Sequence, residues 1–505
     1  MALNLLSGVV FFALQLAINF FLAPFILRTL GEEAYGFLTL ANSLIAYAYI
    51  LTALINSLAG RFVATSYHQN DLLGANSFYS SALIANAFFS FIIAIISGVF
   101  IIYLQSFLQV SDELIFDVKL CFALYALNFI IGLFNGVLGI SAFVKNKVYL
   151  ISLRRAFSSL IFAFFVLVLY YFYAPLITYA ALAALIASVF VLFSSLIISK
   201  RLNTGLEFAI RLFSWNKIKQ LCVAGAFSSF TMLSQSILNS VDLLLCNIFL
   251  NPASMGVLAI AKAVVLFMFS FIGTAASSFL PRFVEYYSKN NIPALINEII
   301  FSSKVLCFLA TAPISVFVVF CKDFYALWLP FKNADEIGFI ANLALIAALP
   351  AIIMSCMYPL LSINIAANKQ KNAAIATLIM ALVTALAQFV ALKYFGLGLL
   401  AIFVIASFTY CAKLIFFDIF NAAFILNINA FSFVPLFLKN LALFALNIAL
   451  LYLIKMQIFL INSWAKLIIF GFLFMAFSYA LSYFILFNKY EKDIFKNKIR
   501  GYLKR

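Results

Sequence analysis

The sequence predicts an all-α polytopic membrane protein of about fourteen transmembrane helices: two six-helix lobes related as parallel repeats, then two C-terminal helices. Three observations carry that expectation. Of the 505 residues, 67% are hydrophobic and 10% charged, whereas soluble chains carry about 25% charged residues. Apolar stretches of roughly 20 residues, each able to cross a hydrocarbon core of about 30 Å, follow one another along almost the whole chain. The first half of the chain is also matched, sparsely but in order, by the second.

The first stretch, near residues 5–27, opens on MALNLLSGVVFF. It has neither the basic n-region nor the small-residue cleavage site of a secretory signal, and reads as a retained helix. Further spans are expected near residues 36–58, 78–103, 118–142, 150–172 and 176–198. Only a short turn around Pro175 separates the last two, so a count of thirteen stays open. The connection NTGLEFAIRLFSWNKIKQ follows. Leu206, Ile210 and Phe213 share one helical face in it, the pattern of an interfacial helix. Spans then recur near residues 221–249, 256–280, 299–321, 338–363, 373–392, 397–420, 434–454 and 467–487. The expected organisation is an N-lobe (residues 1–200), an interfacial linker (201–220), a C-lobe (221–425), two added helices (426–487) and a basic cytoplasmic tail (488–505).

The net charge of +16 is unevenly distributed. With the amino terminus in the cytoplasm, most Lys and Arg fall on cytoplasmic connections and the tail. That is the positive-inside pattern, which places both termini in the cytoplasm and argues against a nucleic-acid partner. The tail either lies on anionic inner-leaflet lipid or simply fixes topology. Trp215, Trp328 and Trp464 sit in connections, as interfacial anchors do. The seven cysteines fall in or beside spans without CxxC spacing and read as small apolar residues. His68 is the one histidine, and neither HExxH nor a P-loop is present. The external loops carry too few acids for a glycosyl-transfer site. The sequence therefore points to a protein that is not an enzyme and needs no cofactor.

At an offset of 220 residues Gln15 meets Gln235, Asn19 meets Asn239, Leu30 meets Leu250, Gly36 meets Gly256, Leu38 meets Leu258 and Ala41 meets Ala261. One position out of register, RFV at Arg61–Val63 recurs at Arg282–Val284. The offset spans an even number of helices, so both halves enter the membrane in the same direction, related by an axis along its normal. Two such lobes with a site near the midplane are the architecture of an alternating-access transporter.

The stretches RTLGEEAYGFLTLANSL (Arg28–Leu44), with Arg61 at the helix end, and VDLLLCNIFLNPASMGVLAIAKAV, with Asp242, Gly256, Ala261 and Lys262, resemble the polysaccharide transporter branch of the superfamily that includes the multidrug and toxin extrusion (MATE) carriers. Within it the chain is most similar to the Wzx-type flippases of lipid-linked oligosaccharides. The resemblance implies a MATE-like fold and a polyprenyl-pyrophosphate-linked glycan, an O-antigen or capsule unit, as substrate. It also implies membrane lipids, and polysaccharide polymerase and assembly proteins, as partners.

Asp242 and Lys262 interrupt apolar runs on either side of Asn251-Pro252, at nearly equal depth if the turn closes a hairpin. Intramembrane ionisable residues mark substrate or ion paths. In one reading Lys262 attracts the pyrophosphate, and Asp242 binds a coupling proton or sodium ion; in the other the two form a permanent ion pair pinning two helices. Gln235, Asn239 and Asp242 share a helix face by their i, i+4, i+7 spacing, matched by Gln15 and Asn19 on the first span. Arg61 and Arg282 are candidates for phosphate capture at the inner mouth, or else snorkelling anchors. Two other classes compete: a cation-coupled drug exporter of the same fold, which needs acids in both lobes, and a membrane-embedded enzyme of polysaccharide assembly.

Overall fold

The computed structural model describes residues 2–145, 147, 149–202, 204–457, 461–488 and 491; the side chains at 2–6, 9, 45, 46, 49–51, 227, 228 and 239 lie outside the description. Nineteen α-helices make up the regular structure with a few tighter or wider turns: α1 (Ala2–Leu30), α2 (Glu32–Ala46), α3 (Ala48–His68), α4 (Leu72–Ile102), α5 (Leu104–Phe107), α6 (Ile115–Leu138), α7 (Ile140–Val144), α8 (Tyr149–Phe172), α9 (Ile177–Arg201), α10 (Trp215–Phe249), α11 (Pro252–Ser277), α12 (Leu280–Ser288), α13 (Ile292–Trp328), α14 (Ala334–Ala366), α15 (Gln370–Lys393), α16 (Leu399–Lys413), α17 (Ile419–Ile425), α18 (Val434–Lys455) and α19 (Trp464–Leu486). Thirteen helical segments among the described residues are long and apolar enough to cross a membrane.

The expected span that does not qualify is the second. A turn at Tyr47 breaks it into α2, of 15 residues, and α3, of 21. Arg61, His68 and several amides and hydroxyls dilute the apolar character of α3. The fifth and sixth expected spans are separate helices, α8 and α9. The expected linker helix is absent among the described residues. Residues 204–209 carry no regular structure, and only Ile210–Leu212 forms a 3-10 turn before α10 begins at Trp215.

Polar side chains on α4 explain why that linker stays extended. Asn76 donates to Gly205 O (3.2 Å) and accepts from Glu207 N (3.0 Å); Ser80 accepts from Ala209 N (3.1 Å), Ser77 donates to Leu212 O (2.9 Å) and Ser81 accepts from Ser214 N (3.0 Å). The backbone finds on α4 the partners that helix formation would otherwise supply. Gly205, at φ +70°, takes the left-handed conformation that starts this strap.

The chain divides by packing into two compact units, one of residues 1–259 with 377–399, the other of 260–376 with 400–505. In the first unit, Ile55, Ala59 and Val63 of α3, Phe78, Tyr79 and Ala82 of α4, and Val137, Ile218 and Leu221 form a buried core. Amides tie its helices: Asn56 and Asn86 hydrogen-bond to each other (3.1 Å), and Asn86 donates to Leu133 O (3.1 Å). Such polar contacts replace the hydrophobic driving force that lipid removes. Asp117, buried at the start of α6, caps α9 by accepting from Ile177 N (2.6 Å), Thr178 N (2.9 Å) and the Thr178 hydroxyl. These satisfy donors that a helix start leaves open.

The second unit is built around Phe283, Leu306, Ala310, Met357, Leu360, Ala422, Phe437 and Phe444. Asn440 donates to Cys356 O (3.1 Å) and Asn421 to Asn364 Oδ1 (2.8 Å). Trp328 is buried against Phe324 and Tyr325, so it packs inward instead of anchoring at the surface; Trp215 is exposed. Of the expected basic tail, Glu491 is described and pairs with Lys304 (2.8 Å); residues 492–505 lie outside the described residues.

Candidate transport site

Repeat-related positions meet in the first unit. A Cβ on Gly36 of α2 would stand 2.7 Å from Met255 Cβ and 3.0 Å from Gly256 N, and one on Gly256 would stand 2.3 Å from Glu32 O. The first turns of α2 and α11 thus touch backbone to backbone through the two glycines that the offset pairs. Gly225 serves α10 likewise, its missing Cβ leaving room for Leu54 O. Nearby, Gln109 N donates to Asn247 Oδ1 (2.9 Å), Asn247 Nδ2 to Gln109 O (3.0 Å), and Ser111 N to Glu33 Oε1 (3.1 Å).

Asp242 lies on α10 in this unit, 2% exposed. Its Oδ1 accepts from Leu243 N (2.8 Å), and it interacts electrostatically with Tyr47, whose hydroxyl is buried at the break between α2 and α3. Two residues before it, Ser240 donates to Ser43 O at 3.5 Å. The break in α2–α3 therefore falls where a buried phenol feels the carboxylate's charge. Sequence reasoning missed Tyr47, because a tyrosine in an apolar run carries no sign that the helix breaks there.

The remaining candidates occupy different environments. Gln15 on α1 and Gln235 on α10 are exposed, and Asn19 is half-buried. The Asn239 side chain lies outside the described residues. Lys262, half-buried on α11, belongs to the second unit. Arg61 is exposed on α3. Arg282, on the short α12 beyond the spans, pairs with Glu298 at 3.0 Å. The hydrogen bond to Glu298 and its charge hold the guanidinium above its usual range. The two repeat-related arginines thus differ: Arg282 already has a counter-charge.

Two charged features inside the spans were not singled out from sequence. Arg154, on α8 and 7% exposed, donates from Nη1 to Ser195 on α9, whose hydroxyl reaches Asn135 Oδ1 on α6 at 3.4 Å. Its Nε is buried without a hydrogen-bond partner among the described residues. The other is an ion pair between Lys413 and Asp418. The Arg154-Arg155 pair inside an apolar run was a legible signal. The second was hidden because residues five apart do not share a face of an α-helix.

No protein-family model matches the chain. The uncharacterized membrane protein EpsK of Bacillus subtilis (strain 168) is 27% identical over 507 aligned positions, covering 99% of this chain and 98% of its own. An inward-facing multidrug resistance transporter of the MATE family, of the MOP superfamily, superposes with a TM-score of 0.69 at 15% identity, over 82% of this chain and 94% of its own. The lipid II flippase MurJ, in an inward closed conformation, superposes with a TM-score of 0.65 at 15% identity, over 92% and 97%. A MOP-superfamily transporter of Pyrococcus furiosus, described by a binding pocket of reverse polarity, gives 0.63 at 16% identity, over 84% and 95%. The chain is an all-helical polytopic membrane protein whose fold is that of the MATE transporter and of the flippase MurJ.

Proposed function

We propose that this protein is a flippase carrying a polyprenyl-pyrophosphate-linked oligosaccharide, a unit of a surface polysaccharide, from the cytoplasmic to the outer leaflet of a bacterial inner membrane by alternating access. The observation that carries the reading is structural likeness to a lipid II flippase over 92% of the chain. The intramembrane charges support it. Lys262 interrupts the 26-residue apolar helix α11, and Arg154 is buried on α8. Cations so placed suit an anionic diphosphate. In this reading Lys262 attracts the pyrophosphate, Arg61 and Arg282 receive it at the cytoplasmic side, and Gln15, Asn19, Gln235 and Asn239 hydrogen-bond the glycan. Asp242 answers to the coupling ion. Membrane lipids and polysaccharide-assembly proteins are the partners.

A drug exporter is the second reading, favoured by the TM-score of 0.69 to a multidrug transporter. Binding cationic drugs calls for unengaged acids in both lobes. Among the described residues of α1–α9 the buried acid is Asp117, which is engaged in capping α9.

The test is a strain lacking the gene, complemented with the wild type or with Lys262→Ala. Loss of surface glycan with lipid-linked precursor accumulating on the inner leaflet, rescued by the wild type and not by Lys262→Ala, is the expected result. Unchanged glycan with increased sensitivity to cationic drugs would overturn the reading in favour of export.

A further inference from the structure

α16, the π-helical turn Leu414–Asp418 and α17 form one continuous apolar span, Leu399–Ile425, of 27 residues. On an ideal α-helix side chains five residues apart diverge by about 140°. The i to i+5 turn removes that divergence, and Lys413 Nζ lies 2.9 Å from Asp418 Oδ2, with side chains 12% and 1% exposed. The approach is an ion pair without hydrogen-bond alignment: both carboxylate oxygens are shut from solvent, and neither has a hydrogen-bond partner among the described residues. At 1.5 Å per residue the pair sits about 10 to 18 Å inside the C-terminal end of the span.

The groups facing Asp418 are few. Tyr410, one helical turn before Lys413, interacts electrostatically with Asp418 and with Tyr358 of α14. Its ring meets Phe269 of α11 edge-on, with centroids 5.9 Å apart. Asn421, one turn beyond Asp418, donates to Asn364 of α14 instead. The charged and titratable groups tied to Asp418 are Lys413 and Tyr410, with Tyr358 and Cys411 beside Tyr410. Among the described residues no group of three or more His, Cys, Asp or Glu is placed to hold a metal ion. An ionised carboxylate offers about four acceptor sites, and here one ammonium, off-line, is its counter-charge. Such pairs seldom add net stability over apolar packing. Acids within spans mark proton paths, and π-turns recur at functional sites. A proton satisfies this carboxylate without needing a cavity.

We propose that Asp418 is a proton-binding site of the transport cycle, with Lys413 as the counter-charge that the π-helical turn holds against it. In one state Asp418 takes a proton from water, the ion pair dissolves and the Lys413 ammonium is released. In the other the proton leaves to water and the pair re-forms. The assignment of this step to a cycle rests on the transport reading; proton binding itself does not.

The test uses the full chain, purified and reconstituted in lipid bilayers, and infrared difference spectra between neutral and acidic pH. The wild type is expected to show the carbonyl band of a carboxylic acid that Asp418→Asn abolishes and Asp418→Glu displaces. Lys413→Gln, which removes the counter-charge, is expected to move the pH of its appearance upward by about one unit or more, a tenfold change in proton affinity. In cells, Asp418→Asn is expected to lower surface glycan at least about tenfold, and Asp418→Glu to restore it. The Glu variant keeps the test decisive if Asn fails to fold. A difference band unchanged in Asp418→Asn overturns the site. Full export by Asp418→Asn, or by the exchange Lys413→Asp with Asp418→Lys, overturns its role in the cycle. A band lost in Asp418→Asn, in a protein whose deletion leaves surface glycan intact, upholds the proton site and refutes the flippase reading alone.

Discussion

Replacing Gly256 with alanine perturbs the crossing of α2 and α11 at one atom. The added Cβ meets Glu32 O at 2.3 Å, and Glu32 C and Cα at 2.8 Å. Carbon contacts are ordinarily about 3.5–4.0 Å, so α11 must withdraw from α2 by roughly 1 Å. The obstacle is backbone, and no rotamer relieves it. Overpacking costs about 1–3 kcal/mol, and the better helix propensity of alanine returns about 1 kcal/mol. Gly256→Ala is therefore expected to destabilise by up to about 2 kcal/mol, the strain less the propensity gain. Gly98, near the C-terminal end of α4 with nothing within 4 Å of its missing Cβ, is the control. Gly98→Ala should be neutral or stabilising by about 0.5–1 kcal/mol. Gly36→Ala should fall between them, because its nearest contact, Met255 Cβ at 2.7 Å, is less severe. Thermal unfolding of the full chain, followed by fluorescence-detected size exclusion in one detergent, gives the order. If Gly256→Ala melts with Gly98→Ala, within a few tenths of a kcal/mol, the backbone crossing is refuted.

Asp117→Ala removes three hydrogen bonds at the start of α9 and should cost about 2–4 kcal/mol in the same assay, with Asp117→Asn costing less. Ser80→Val together with Asn76→Ala strips the strap at residues 204–214 of four hydrogen bonds. Proteolysis there should speed up while the melting of the spans changes little; equal cleavage rates would sink the account of the extended linker. On α12, the hydrogen bond from Lys289 holds the exposed Glu285 carboxyl below its ordinary value. A depressed folded value means that the contribution is full above the ordinary carboxylate value and fades as pH falls through the depressed one. Amide exchange in α12 should rise in that acid window in the wild type. In Glu285→Gln it should already be raised at neutral pH.

The helices were legible in the sequence because a bilayer leaves so little choice. A stretch of about 20 apolar residues in lipid must satisfy its own backbone, and the helix does so within one segment. Each expected span corresponds to a helix or helix pair, and the paired glycines at 36 and 256 were found by counting alone. Position along the chain says less about side-chain surroundings. Tyr47 sits at a helix break that no Pro or Gly announces. Lys413 and Asp418 meet through a wider turn that the α-helical period does not contain. The linker at residues 204–214 carries helical periodicity yet runs extended, because Asn76 and three serines on α4, far off in sequence, take its hydrogen bonds. Local composition decided which segments are helical, since each apolar segment closes its own hydrogen bonds. Tertiary packing decided where helices break, which charges are paired and how an exposed segment is held, since those depend on partners that the chain brings together only on folding.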